Sequence, residues 1–198
     1  MSTALDVVDW RRRTFALFAD VRAQRDPAAG HALWVRGRDA LFAQHPASPL
    51  LPEDRPGFTG LPVAAYDPAW RFEVGLSPAE PVEWSVETGT DGTVTFERIG
   101  VAELDGVGCL DVWRLTSYGG GVFVPLKDGT SGQASYGGGR YLLDTVKGAD
   151  LGSDGDRIVL DLNFAYAPSC AHDPAWACPL APLGNTVDMP VPVGELAR

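Results

Sequence analysis

Apolar side chains return every three or four positions near the start of the chain, at Val7, Trp10, Leu17, Phe18 and Val21, with Thr14 in step and arginines between them. That spacing predicts an amphipathic helix, and Thr3 followed by Asp6 supplies the reciprocal cap that opens one. Pro27 and Gly30 interrupt the pattern; Leu33, Gly37, Ala40 and Leu41 then predict a second, short helix ending before Pro46. Helices of this length are marginal alone in water, so the stripe is expected to pack on the rest of the protein, with Trp10 and Trp34 as anchors.

From Trp70 onward the period falls to two. Arg71-Phe72-Glu73-Val74, Val82-Glu83-Trp84-Ser85-Val86 and Thr93-Val94-Thr95-Phe96 alternate as half-buried strands do. Asp91-Gly92 and Asp105-Gly106 have the chemistry of tight hairpin turns, and further strands fit residues 108–116, 122–124, 140–146, 157–162 and 187–193. About eight strands with no helix between them predict a mainly β fold, an antiparallel β barrel or sandwich with a short N-terminal helical segment. Residues 1–45 read as that segment, packed on a β domain of residues 46–198. A proline-rich linker over 46–62 leads into this domain, and its long loop, 163–186, carries Pro168, Pro174, Pro179 and Pro182 without a strand period.

Composition narrows the function classes. With 198 residues, 45% of them hydrophobic, the chain can bury a core without cross-links. Its 26 acidic against 16 basic residues, a net charge of −10, repel a phosphate backbone, so nucleic acid is not an expected partner. Arg11, Arg12, Arg13, Arg22, Arg25, Arg36 and Arg38 all precede residue 40; they form either a patch for an anionic partner or the polar faces of the two helices. No apolar run has the length of a membrane span and no signal-peptide order is present, which predicts a cytoplasmic protein without a membrane partner. Three cysteines, an odd number, do not suit a secreted disulfide framework.

Candidate chemistry concentrates between Pro125 and Cys178, where glycines, isolated charges and tyrosines alternate. Arg140 follows three glycines, and its planar fork can clamp a carboxylate or phosphate or pair internally with Asp128 or Asp161. No strand-to-helix glycine motif of the nucleotide-binding kind accompanies it. Asp161 and Asn163 stand two apart on a predicted strand, hence on one face, where burial obliges them to find partners. The leading reading is a pocket for a small polar or anionic molecule contributed by Asp128, Thr130, Ser131, Tyr136, Arg140, Asp161, Asn163 and Tyr166. The competing reading makes the same residues a buried network in a structural or partner-binding module. Cys170, His172 and Cys178 offer three zinc-type ligands where a closed structural site takes four, so no metal or other cofactor is expected, and the two cysteines read as packed thiols or a loop-closing disulfide. Ser131 lacks a nucleophile-elbow sequence. No residue is assigned a catalytic role.

These segments resemble the bacterial and archaeal domain-of-unknown-function family 1684. Residues 125–132 resemble its proline-phenylalanine-arginine-aspartate, threonine-serine-glycine segment, and residues 136–142 its tyrosine, glycine-arginine-tyrosine-leucine segment. Residues 160–170 resemble its aspartate-phenylalanine-asparagine, alanine-tyrosine-asparagine-proline, cysteine segment. Cys178-Pro179-Leu180, Asn185 and Gly194-Glu195 extend the similarity toward the C-terminus, and Trp10-Arg11 and Phe58-Thr59-Gly60-Leu61 toward the N-terminus. Leu126 and Lys127 stand where the family has phenylalanine and arginine, Ala134 where glutamate is common and Ala167 where asparagine is usual, so any task those side chains perform in relatives is missing here. The resemblance implies membership and no particular activity.

Overall fold

The computed structural model describes residues 3–88 and 92–198. Thr3 caps the first helix, α1 (Ala4–Arg22), through the reciprocal bonds with Asp6 expected from the sequence. The second helix, α2 (Pro27–Gln44), is not short: it begins at Pro27, whose missing N–H is no loss at a first helical position, and Asp26 caps it by accepting from the Ala28 N–H. Gly30 and Gly37 lie inside α2 because α1 passes close by. A Cβ on Gly37 would stand 2.5 Å from Leu17 Cδ1.

The apolar stripe of α1 divides its contacts. Phe18 and Val21 are buried in a cluster with Trp34 of α2 and with Ala149 and Phe164 of the body, whereas Val7 is 37% exposed. Trp10 anchors helix to helix, its ring 5.8 Å from Phe42 and 5.3 Å from His45. Trp34 is the anchor on the body, fully buried and 5.2 Å from Phe164.

The β region forms two open antiparallel sheets, so the architecture is sandwich-like and the barrel alternative does not hold. The smaller sheet orders β1 (Arg71–Val74), β9 (Arg157–Asp161) and β8 (Ser153–Asp154). The larger runs β2 (Leu76–Ser77), β4 (Gly92–Leu104), β5 (Gly108–Leu115), β6 (Val122–Leu126) and β7 (Arg140–Asp144), with β3 (Glu83–Thr88) also paired to β4. β4 is far longer than the run 93–96 because a bulge between Arg98 and Gly100 resets its period partway. Asp105-Gly106 turns the chain as expected, with Gly106 at φ +72° and pairing resumed at Leu104↔Gly108. The Asp91-Gly92 turn lies at the edge of the described residues, since Asp91 falls outside them.

Alternation along the large sheet gives it two apolar faces. Leu110, Val112, Val124 and Leu126 join Leu160, Leu162, Val191 and Val193 in the core shared with the small sheet. Trp113, Phe123 and Tyr141 meet Phe96 and Trp84 on the opposite face. Residues 187–193 are not a strand. Pro190 and Pro192 remove two ladder donors, and the segment instead crosses the body as an irregular strap, with the Val187 N–H bonded to the Lys127 carbonyl.

Candidate functional site

The residues singled out by sequence fall into separate places. Arg140, at the start of β7, is fully buried, and Nη2 lies 2.8 Å from Asp128 Oδ2. Its remaining terminal donors go to the carbonyls of Val191 and Val193 on the irregular strap and of Glu195 just beyond it. Asp128 Oδ1 accepts from the Thr130 N–H and hydroxyl and from the Val191 N–H. The Thr130 hydroxyl in turn accepts from Ser135, and Ser131 Oγ accepts the Asp128 N–H. The glycines beside this cluster serve close packing. A Cβ on Gly129 would stand 2.5 Å from the Asp188 carbonyl oxygen, and one on Gly139 (φ +88°) 2.6 Å from that of Leu126.

Asp161 and Asn163 form a second cluster about β9. The strand ends at Asp161, and Leu162–Phe164 is a 3-10 turn, so the pair meets through a cap and not through alternation on one face. Asp161 Oδ1 accepts the Asn163 N–H and side-chain amide, while Oδ2 stands 3.3 Å from the Tyr66 hydroxyl and 3.6 Å from Arg71. Burial pushes the Asp161 carboxyl up and, with Asp161 beside it, raises Tyr66 to about 12. Asn163 clamps the backbone of Asp67 with both amide atoms, and its carbonyl meets His31 Nε2. Tyr136 lies elsewhere again, its hydroxyl donating to Cys170 Sγ at 3.7 Å.

Of the eight, only Tyr166 lines a described cavity. This cavity, about 100 Å³, lies where α1 and α2 meet the β body, walled by Trp10, Thr14 and Phe18 of α1, Arg38 and Phe42 of α2, and Tyr141, Lys147, Tyr166, Ser169 and Cys178. Arg38 is its central charge. The guanidinium carbon stands 4.9 Å from the Tyr166 ring centroid, 5.1 Å from Phe42 and 5.2 Å from Trp34, and Nη2 pairs with Glu195 Oε2 at 2.5 Å. Buried Arg38 Nε has no hydrogen-bond partner among the described residues. Glu195, 1% exposed, also accepts the Ala167 N–H and stands 3.4 Å from His172 Nε2. Gly194, at φ +81°, lets the chain approach Ala165 closely enough for the Glu195 N–H to reach the Ala165 carbonyl.

A wider, shallow depression of about 580 Å³ lies between α1 and α2, bordered by Asp6, Asp9 and Asp20. Asp9 there is already paired with Arg13 and His45. The largely enclosed arginine and the aromatic walls make the smaller cavity the candidate site. Cys170, His172 and Cys178 do not converge: His172 faces Glu195 and the Phe42 ring, and no three His, Cys, Asp or Glu side chains among the described residues stand together as metal ligands.

The model of the family described as Protein of unknown function (DUF1684) matches residues 56–196. The chain belongs to this family. It is similar to an uncharacterised protein of Haloarcula marismortui solved by solution NMR, at 35% identity over 82% of this chain and 89% of that one, with a TM-score of 0.58. No curated protein matches the chain. The stretch matched by the DUF1684 family holds Asp128, Arg140, Tyr166 and Glu195 and begins after Arg38, so the candidate cavity joins the family region to the two preceding helices. No helix among the described residues is long and apolar enough to cross a membrane.

Arg38 and Glu195 are the site residues that sequence reading missed. Arg38 was grouped with the arginines of polar helix faces, yet it follows Trp34 by four residues and precedes Phe42 by four, which places it on the buried stripe of α2. The two buried acids give a testable pH dependence. Burial raises Asp128 and Glu195, but Arg140 and Thr130 for the first, and Arg38 and His172 for the second, outweigh it and hold both below their ordinary values of 3.8 and 4.5. A depressed folded value contributes stability that is present above the unfolded value and lost as pH falls through the folded one. Urea midpoints should therefore fall as pH drops below about 4.5, and Asp128→Asn, already destabilised at neutral pH, should show a shallower acid decline. Equal slopes in both proteins would contradict this assignment.

Proposed function

We propose that the protein binds a small molecule with an apolar body and an anionic head in the cavity between the helix pair and the β body. The observation that carries this reading is Arg38: it lines the cavity under three aromatic rings, has one nitrogen engaged by Glu195, and keeps a buried Nε without a partner. A carboxylate there would gain a charge-assisted hydrogen bond, with Lys147 contributing a second positive charge to the wall. The aromatic walls suit a flat or aliphatic body, and the cavity volume suits a short monocarboxylate better than a nucleotide.

The network reading is favoured for Asp128, Thr130 and Arg140: both terminal nitrogens of Arg140 and both Asp128 oxygens are engaged inside the protein and none of the three lines the cavity, although Arg140 Nε, like Arg38 Nε, has no partner among the described residues. We assign them to holding the irregular strap on the body, which places Glu195 beside Arg38.

A thermal-shift panel of short-chain and aromatic monocarboxylates tests the binding reading. A ligand at about 100 times its Kd should add about 2.7 kcal/mol of stability. Thr14→Leu, which extends an apolar side chain from the cavity wall without touching Arg38, should remove the shift while leaving the unliganded melting temperature nearly unchanged. A panel without any concentration-dependent shift, or equal binding by Thr14→Leu, would overturn the reading.

A further inference from the structure

His172 is the one side chain among the described residues that buries two polar atoms with a hydrogen bond to neither. It sits on the loop that also brings Ser169 and Cys178 to the cavity wall, and its ring stands edge-on to Phe42 of α2, 5.0 Å between centroids. A neutral imidazole offers one N–H and one lone pair, and each is costly to bury unmatched. The group it faces is Glu195, whose Oε1 lies 3.4 Å from His172 Nε2. Glu195 Oε2 is taken by Arg38 and the Ala167 N–H. One carboxylate thus stands between the arginine of the cavity and an unpartnered histidine.

With a neutral imidazole the trio of Arg38, Glu195 and His172 carries no net charge; with one more proton it carries a single positive charge. Little water is there to screen it, since the three side chains are 12%, 1% and 2% exposed. Histidine is the side chain that ordinarily changes charge between pH 5 and 8. Glu195 stays ionised over that range: against its burial, Arg38 and His172 hold its carboxyl below the ordinary value. Burial keeps the Tyr141 and Tyr166 hydroxyls of the cavity wall neutral, and Asp173, beside His172, caps the Ala175 N–H. His31 is bonded to the Asn163 carbonyl, and His45, at the end of α2, is paired with Asp9. The remaining ionisable groups nearby are Asp144, paired with Lys147, and the free thiols Cys170 and Cys178 on the same loop. The His172 variant below separates their titration from its own.

Resting on the binding reading above, we infer that the site takes its carboxylate together with one proton, which His172 holds beside Glu195. The proton comes from solvent. Once it is bound both ring nitrogens are donors, and Nε2 turns its approach to Glu195 Oε1 into a charge-assisted hydrogen bond. Glu195 then serves two cations, and Arg38 is left with charge to offer the cavity. A carboxylate there restores neutrality, so the protonated trio binds it more tightly than the neutral one, and binding in turn favours protonation by the same factor. His172 does not line the cavity; it is a positioning residue that acts on the ligand through Glu195 and Arg38.

Calorimetric titration of the intact protein with butyrate and with benzoate, both ionised throughout, tests this at about pH 6 and about pH 8. The Kd should be about tenfold lower at the acid end, and titrations at about pH 7 in two buffers of different ionisation heat should show net proton uptake. His172→Gln should bind with the weaker affinity at both pH values and take up no proton, while keeping the wild-type circular dichroism. On the unaltered chain, the ring-proton NMR signal of His172 should move toward its protonated position when benzoate is added at about pH 7. Absence of binding at either pH would remove the binding reading and this inference with it. Binding of equal strength at both pH values, a pH dependence that survives in His172→Gln, or a His172 signal that stays in place while benzoate binds would remove this inference alone.

Discussion

Arg140→Ala is expected to destabilise the protein by about 3–5 kcal/mol, enough to unfold much of a domain of ordinary stability. Arg140 and Asp128 are both withdrawn from water, and each holds backbone as well as its partner. Truncating the arginine leaves the Asp128 carboxylate buried without its counter-charge and strands the carbonyls of Val191 and Val193. The strap 187–193 has no ladder of its own, so the arginine does for it what a neighbouring strand would do. Urea denaturation at pH 7 measures the loss. Replacing both members, as Arg140→Met with Asp128→Leu, should cost much less than Arg140→Ala alone, because no uncompensated charge remains. A folded Arg140→Ala protein with an unchanged midpoint would refute the network and restore Arg140 as a ligand clamp.

Glu195→Ala carries the second-largest expected effect, about 3 kcal/mol, nearer the lower end because the Arg38 side chain keeps some exposure. The variant leaves Arg38 facing three aromatic rings without its carboxylate and removes the acceptor of the Ala167 N–H. A double-mutant cycle with Arg38→Met isolates the pair, and a coupling of at least about 1 kcal/mol is expected for groups in direct contact. Additive losses would show that the two side chains act independently. The cycle also separates roles: a monocarboxylate bound at Arg38 should stabilise Glu195→Ala more than wild type, since it supplies the missing negative charge.

Much of the fold was legible in local pattern. The Thr3–Asp6 cap, the period-two runs that became β1, β3 and the start of β4, and the turn at Gly106 all depend on residues within a few positions of one another. Local chemistry decides such features, because a cap or a tight turn satisfies its own backbone groups whatever lies beyond. The same reasoning misled at residues 187–193, which were read as a strand although they carry Pro190 and Pro192, and at α2, where Gly30 was taken for a break. Gly30 is instead a point of close approach to Val21, a relation between helices that no single stretch of sequence contains.

The chain by itself determined an antiparallel β body behind two helices, the first with its cap, marked Asp161 and Asn163 as residues that burial would force to find partners, and left Arg140 between a ligand and an internal pair with Asp128 or Asp161. Only the tertiary structure decided which partners: Arg140 with Asp128, at a separation of twelve residues, and Arg38 with Glu195, at 157. Sequence supplies the obligation, since a buried charge or amide is costly until it is matched. The match depends on which distant segments the packed sheets and helices bring within hydrogen-bond reach. For that reason the cavity between helices and body, and the residues that line it, became visible only once the chain was folded.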